Sequence, residues 1–287
     1  MFCSSRNCNS TMAKFFNGKV VIVTGSSSGI GAEAALRFAA AGAKVTITGR
    51  KAEGLEATKR LCVQAGAKEG DILEVLGDIA EEATAAKIVR ETVARFGGID
   101  VLVNNAGAFC QDEQGRAGIA QPLSVFDRTL NVNLRSVLVI SQLAVPYLEK
   151  TKGAIINISS IAAFHYSNPG APYYCVAKAA LDQLTVQMAG TLIAQGIRVN
   201  SINPGIIETQ FLQNAGLSDA ATKQVQDAWA ANRQTIPAGR LGQPHEIVEM
   251  ILYLADSSRS DFTVGAKITI DGGSVFQNTL TAGERHF

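Results

Sequence analysis

The chain has 287 residues, 47% of them apolar and 18% charged; that composition excludes a solvated disordered polymer and supplies a large buried core. Its 26 basic and 25 acidic side chains nearly cancel, so no global field draws nucleic acid or an anionic membrane, and anion recognition has to be local. Aromatic residues, at 6%, are too sparse for a stacking platform for bases or sugars.

Residues 1–14, MFCSSRNCNSTMAK, lack the apolar core of a secretory signal and read as a disordered tail, with organelle targeting as the alternative. Apolar, β-branched runs then recur at Lys19–Thr24, Lys44–Thr48, Ile72–Leu76, Val101–Asn104, Ala154–Ser159, Arg198–Ile202 and Lys267–Ile270. They are apolar throughout and do not alternate, as expected of strands covered by helices on both faces. Between the first two, the alanine-rich Ile30–Ala41 reads as a helix ended by Gly42. After the third, Asp78 and Glu81 have the spacing of a capping box, ahead of Ile88, Val89, Thr92 and Phe96 at helical intervals.

Further helices are expected at Val125–Leu148 and Tyr173–Ala194, the second with Ala177, Leu181, Leu184, Met188 and Leu192 on one face. The βα alternation predicts an α/β fold with a parallel, doubly wound sheet, residues 15–287 forming one domain. The polar stretch Glu208–Gly239 is long for a connection and reads as a lid, helical around Asp219–Asn232. Five scattered cysteines (Cys3, Cys8, Cys62, Cys110 and Cys175) fit a reducing compartment, and their spacing suits neither a disulfide framework nor structural zinc. No stretch approaches the roughly 20 apolar residues that span a bilayer. A cytoplasmic protein is expected, with no metal, membrane or nucleic-acid partner.

Directly after the first strand comes Thr24-Gly25-Ser26-Ser27-Ser28-Gly29-Ile30-Gly31, running into the alanine-rich helix. Strand, glycine turn and helix put unpaired backbone N–H groups and the positive end of a helix where a pyrophosphate can sit. Gly25 permits the turn, Gly29 allows close backbone approach, and Gly31 lets the helix pack on the strand. At the tip of the second strand, Thr48-Gly49-Arg50-Lys51 carries no acid to hold a ribose 2′-hydroxyl; the first acid is Glu53. Gly49 leaves space and Arg50 offers a planar fork, which predicts NADP(H), with Arg50 on the 2′-phosphate, over NAD(H).

Tyr174 and Lys178 stand four residues apart on an expected helix and share one face. A free phenol titrates near about 10, so proton transfer at neutral pH needs its anion stabilised, and a cation one turn away does that. Tyr173 has no lysine at that spacing and is expected to pack or line the pocket. His165, without metal-spaced partners, reads as pocket wall or surface, and Cys175 as a small buried apolar group.

In one order the chain carries TGxxxGxG at 24–31, Asn104-Asn105-Ala106-Gly107, Ser159-Ser160, Tyr174-xxx-Lys178 and Asn203-Pro204-Gly205. With these motifs it resembles the short-chain dehydrogenase/reductase family from about Lys19 to Gly273, and the animal members grouped with glucose/ribitol-type and tropinone-reductase-like enzymes most of all. The resemblance implies a single-domain Rossmann-type fold, seven parallel strands between helices, and a homotetramer through the helices at Val125–Leu148 and Tyr173–Ala194. It implies Tyr174 as general acid/base, Lys178 lowering its pKa and holding the nicotinamide ribose, Ser160 on the substrate oxygen, and Asn133, with Asn131 as the alternative, anchoring a water. For the cofactor it implies Gly25, Ser27, Ser28, Gly29, Ile30 and Gly31 at the pyrophosphate, Asp78 and Ile79 at the adenine, and Asn105, Ala106 and Gly107 near the ribose. Pro204, Gly205, Ile207 and Thr209 would meet the nicotinamide end.

One departure is that Ser160 precedes Tyr174 by one position more than is usual, so the Ile161–Tyr173 run is expected to bulge and Ser159 is the alternative serine. The implied activity is hydride transfer between a nicotinamide cofactor and a small carbonyl compound or secondary alcohol. Substrate choice falls to Ala108–Ile119, Phe164–Tyr173 and the lid, whose Phe109, Phe164, Phe211 and Leu212 favour a moderately apolar carbonyl. The alternatives are an NAD-dependent sugar-alcohol or steroid dehydrogenase and a non-catalytic NADP(H)-binding regulatory protein.

Overall fold

Seven segments pair into one all-parallel sheet in the order β3-β2-β1-β4-β5-β6-β7. They are β1 Val20–Val23, β2 Lys44–Gly49, β3 Ile72–Leu76, β4 Val101–Asn104, β5 Ala154–Ile158, β6 Arg198–Pro204 and β7 Lys267–Ile270. A computed structural model describes residues 15–164 and 172–279. The expected tail at 1–14, His165 with the rest of 165–171, and 280–287 lie outside the described residues.

Alternate residues of the central strands enter two separate cores. Val21, Val23, Val103 and Ile156 join Phe38 of α1 (Gly29–Ala40), Leu55 of α2 (Ala52–Gln64) and Ile251 of α9 (Pro244–Ala255). Ile22, Leu102 and Ile155 join Ile88 of α3 (Glu82–Phe96), Ile140 of α5 (Ser136–Thr151) and Met188 of α6 (Pro172–Leu192). A strand buried on both faces cannot alternate polar and apolar residues, which is why β1, β4, β5 and β6 are buried along their whole length. The edges depart from the expected pattern: Lys267 and Thr269 of β7 and Leu76 of β3 are exposed, because an edge strand meets solvent on one side.

Three local expectations are corrected. Asp78 and Glu81 form no capping box: Glu81 is the N-cap of α3 without a side-chain cap bond, and Asp78 Oδ1 instead accepts from Ala80 N at 3.0 Å. The expected helix Val125–Leu148 is divided into α4 (Leu123–Leu130), a π-helical turn at Asn131–Arg135, and α5. Cys175 is half-buried, not buried. The segment expected as a lid holds α7 (Phe211–Asn214) and α8 (Asp219–Ala231). Among the described residues no helix is long and apolar enough to cross a membrane.

Strand order reverses between β1, whose successor pairs on one side, and β4, which pairs on the other. At such a switch point the loops leaving neighbouring strands diverge and open a crevice at their carboxyl ends. The candidate residues lie at these carboxyl ends.

Candidate active site

The first wall of the crevice is the loop between β1 and α1. Gly25 has φ of +65°, and a Cβ there would stand 2.8 Å from Ala106 Cα; a side chain at Gly31 would overlap the Gly25 carbonyl. Only glycine allows the loop to close this tightly against β4 and its own helix. Thr24 Oγ1 accepts from Asn105 N and Ala106 N, both at 3.0 Å, and Asn105 Nδ2 donates to the carbonyls of Thr24 and Gly25. The asparagine expected near a ribose is thus engaged, through its amide nitrogen, in clamping the glycine loop. α1 starts at Gly29, and its N-cap Ser28 makes no side-chain cap bond.

The second wall comes from β5 and α6. The Ser160 hydroxyl stands beside the Tyr174 phenol and favours its ionised form. Ser160 is fixed at both ends: its Oγ accepts from Ala162 N at 3.1 Å, and its carbonyl accepts from Asn203 Nδ2 at 3.0 Å. Ser159, the alternative, turns the other way and donates to the Lys178 carbonyl. Lys178 Nζ donates to the Ile158 carbonyl at 2.8 Å and lies 5.6 Å from the centroid of the Tyr174 ring. Asn133, fully buried, sits in the π-helical turn. It donates to the carbonyls of Thr129 and Ala108 and accepts from Ala108 N, so the side chain holds the chain just after β4. Gly107 is the narrow point: a Cβ there would lie 3.0 Å from Asn133 Oδ1 and 3.4 Å from Lys178 Nζ.

The electrostatics correct one expectation. Burial pushes the Tyr174 phenol well above its ordinary value, and the neighbouring Ser160 pulls it down by less. Desolvation of the phenolate therefore outweighs what stabilises it. Lys178 is itself lowered to about 8 by burial, with the Asp182 carboxylate opposing that fall.

Two aromatic rings complete this wall. Phe109, after β4, and Phe211, on α7, stand 5.2 and 6.0 Å from the Tyr174 ring and 6.3 Å from each other. Phe164, expected beside them, is 49% exposed. Tyr173 faces away, donating to the Gln121 carbonyl at 2.9 Å and packing on Phe126.

A family model described as enoyl-(acyl carrier protein) reductase matches residues 25–275. The 3-oxoacyl-[acyl-carrier-protein] reductase FabG of Thermotoga maritima is 34% identical over 259 residues, spanning 90% of this chain and 98% of its own. The chain belongs to the short-chain dehydrogenase/reductase family. Among solved structures, a short-chain dehydrogenase/reductase of unknown function from Caenorhabditis elegans, crystallised with cofactor, matches with a TM-score of 0.90. The two are 42% identical, over 91% of this chain and 97% of that one. The apo-form of a glucose dehydrogenase from the same organism matches at 0.77, also 42% identical, over 91% and 99%.

Short-chain dehydrogenases/reductases use NAD(H) or NADP(H), and the residues here fit such a dinucleotide. The glycine loop leaves no room for side chains, and the N-terminus of α1 carries no side-chain cap to compete for its free N–H groups. Thr209 closes over the loop, 3.0 Å from where a Cβ on Gly29 would stand. Beyond β2, Arg50 is 60% exposed and only 3.9 Å from Asp78 Oδ2. The space left by Gly49 goes to the loop: a Cβ there would meet Ser27 at 3.1 Å. Ile207 bridges to Gly242 just past the Pro204-Gly205 turn.

Sequence reasoning missed Asp182. It is 5% exposed and accepts from Asn203 Nδ2 at 2.8 Å and Ser201 Oγ at 3.2 Å. Its signal was the continuing four-residue interval, Tyr174, Lys178, Asp182, along one face of α6.

Proposed function

We propose that this protein is an NADP(H)-dependent oxidoreductase that interconverts a carbonyl compound and a secondary alcohol, with Tyr174 as general acid/base. The observation that carries the reading is Lys178 Nζ 5.6 Å from the Tyr174 ring, with Ser160 acting on the same phenol, at the end of the sheet where the glycine loop stands. In the reductive direction a nicotinamide cofactor, when bound, would supply the hydride for the carbonyl carbon and would itself be oxidised. Tyr174 gives its proton to the carbonyl oxygen; burial keeps the phenol in the acid form that can do so. Ser160 has one lone pair taken by Ala162 N, and its one O–H, which favours the phenolate in the free protein, turns to the developing alkoxide when a carbonyl is bound. Lys178, held by the Ile158 carbonyl, compensates the phenolate left behind.

The substrate class follows from Phe109 and Phe211, which make the wall around Tyr174 apolar; a ketone or diketone of moderate polarity suits it better than a sugar phosphate. The test is a panel of ketones, diketones and aldoses with NADPH and with NADH, followed by nicotinamide absorbance. Turnover of carbonyls with NADPH supports the reading, and dinucleotide binding without any turnover overturns it in favour of a regulatory protein. A second reading, an NAD-linked sugar-alcohol dehydrogenase, is favoured by the likeness to the Caenorhabditis elegans glucose dehydrogenase and would appear as aldose or polyol turnover with NAD(H).

The preference for NADP(H) rests on Arg50, whose exposed guanidinium is only loosely tied to Asp78. Such a pair contributes about 1 kcal/mol or less, so a 2′-phosphate displaces it at little cost. Arg50→Ala is expected to weaken NADPH binding about tenfold or more, the scale of a charge-assisted hydrogen bond, while NADH changes less than about twofold. Equal losses in titration calorimetry would remove Arg50 from the 2′-phosphate.

A homotetramer is the assembly we propose. Support comes from Leu138 and Leu143 on α5 and Val176 and Val186 on α6, apolar side chains 37–50% exposed on the helices that would meet a neighbour. Light scattering on the eluted protein should give four times the chain mass; a monomer over the micromolar range would exclude this contact.

A further inference from the structure

Asp182 is a buried carboxylate that the proposed proton transfer does not use. It sits one helical turn beyond Lys178, as Lys178 sits one turn beyond Tyr174, and the two charged side chains are 5% and 3% exposed. A carboxylate taken out of water at this depth is costly unless its lone pairs are filled and a cation stands near. Both conditions hold: Ser201 Oγ and Asn203 Nδ2 donate to it from β6, and its charge acts on Lys178. The Asn203 amide nitrogen also donates to the Ser160 carbonyl. One carboxylate therefore stands behind both the serine and the lysine.

We propose that Asp182 is a positioning residue of this centre, acting through Asn203 on the Ser160 backbone and by its charge on the Lys178 ammonium. This rests on the reading of Tyr174, Ser160 and Lys178 given above. No other charge competes for the role among the described residues. β5 and β6 bring the neutral Asn157, Ser159, Ser160, Ser201 and Asn203, the π-helical turn brings Asn133, and the one charge on β6, Arg198, is held at the start of the strand by the Leu254 and Ser260 carbonyls. Arg135 of that turn pairs with Glu82, and Asp127 and Arg128 of α4 are exposed. On α6 itself the neighbouring titratable groups are Tyr174 and Cys175. Burial alone drives an ammonium toward the neutral form, and the Asp182 charge opposes that on Lys178.

The test compares wild type with Asp182→Asn, Asp182→Glu and Asn203→Ala. The first readout needs no turnover: the Lys178 side-chain amine is titrated by NMR in the protein without added cofactor, its resonance identified by its loss in Lys178→Met. Wild type should titrate near 8, and Asp182→Asn roughly one unit lower, the scale on which a nearby opposite charge acts. Asp182→Glu should restore the wild-type midpoint, and Asn203→Ala, which keeps the anion, should leave it in place.

The second readout is kcat against pH with whichever carbonyl the wild type reduces. Asp182→Asn should lose about tenfold at pH 8 and recover toward pH 6 as the lysine regains its proton, with KM moving less than about twofold. Asn203→Ala should lose kcat by a similar factor at every pH, because it loosens Ser160 without touching the charge. A merely structural role would lower folded yield and leave both midpoints unmoved. An unmoved Lys178 titration together with a superimposable pH profile in Asp182→Asn overturns the proposal. If Asp182→Asn does not fold, Asp182→Glu and Asn203→Ala decide it: loss of Lys178 charge in Asp182→Glu, or full kcat in Asn203→Ala, counts against it. If the wild type reduces no carbonyl, the proposed function fails while the titration still decides the role of Asp182.

Discussion

Tyr174→Phe is expected to lower kcat for carbonyl reduction by about 10³-fold, within the range that a positioned general acid contributes, while NADPH binding stays within about twofold. The variant removes one hydroxyl and nothing else. The ring keeps its packing against Phe109 and Phe211, at 5.2 and 6.0 Å. A fall in kcat with little change in KM marks an interaction made in the transition state, not in the bound substrate. The phenol is pushed up by burial and therefore stays protonated through the neutral range. Wild-type reduction should accordingly show no loss between pH 6 and 8 that Tyr174→Phe abolishes. A loss of less than about tenfold would mean that the proton comes from another group, and Ser160, which acts on the same hydroxyl, would be the next to test.

The sheet was legible because strands buried on both faces must be continuously apolar: Val20–Val23 is read one residue too long at each end, and Ala154–Ile158 one too long at its last. The glycine loop was legible for the same kind of reason, a close approach that tolerates no Cβ. The π-helical turn at Asn131–Arg135 was not, because its hydrogen-bond register is set by what Asn133 holds across the crevice, the backbone of Ala108, and not by local propensity. Helices α2 and α9 were passed over, although Gln243, Pro244 and Glu246 carry a start signal that the structure realises, with Glu246 accepting from Gln243 N at 2.7 Å. The convergence of Phe109 and Phe211 on Tyr174 joins loops from β4 and β6 and has no periodicity to betray it. Asp182 was half legible: the interval places it below Lys178, but its partners Ser201 and Asn203 are assembled only by the strand that follows α6.

Lys178→Met is expected to abolish turnover and at the same time to stabilise the fold at neutral pH. Burial lowers the Lys178 ammonium from its ordinary 10.5 to about 8, which corresponds to about 3 kcal/mol of folding free energy at pH 7, at 1.36 kcal/mol per unit. An unbranched methionine refills the channel without a charge, and loss of the bond to the Ile158 carbonyl returns about 1 kcal/mol. The net gain is about 2 kcal/mol, or roughly 4–8 °C in Tm for a single domain of this length.

The pH dependence fixes the sign. Because the folded value lies below the unfolded one, between about 8 and 10.5 the unfolded chain holds a proton on this lysine that the folded protein has released. Wild-type stability contributed by this group therefore rises with pH through that window and is lowest below it. The advantage of Lys178→Met should be full at pH 7 and shrink steadily toward pH 10, and the difference between the two proteins cancels every other titrating group. Urea unfolding at pH 7, 8.5 and 10 measures it. A gap that stays constant across the three would show that Lys178 carries no desolvation penalty, and a variant less stable than wild type at pH 7 would show that its hydrogen bond and the Asp182 charge already outweigh its burial.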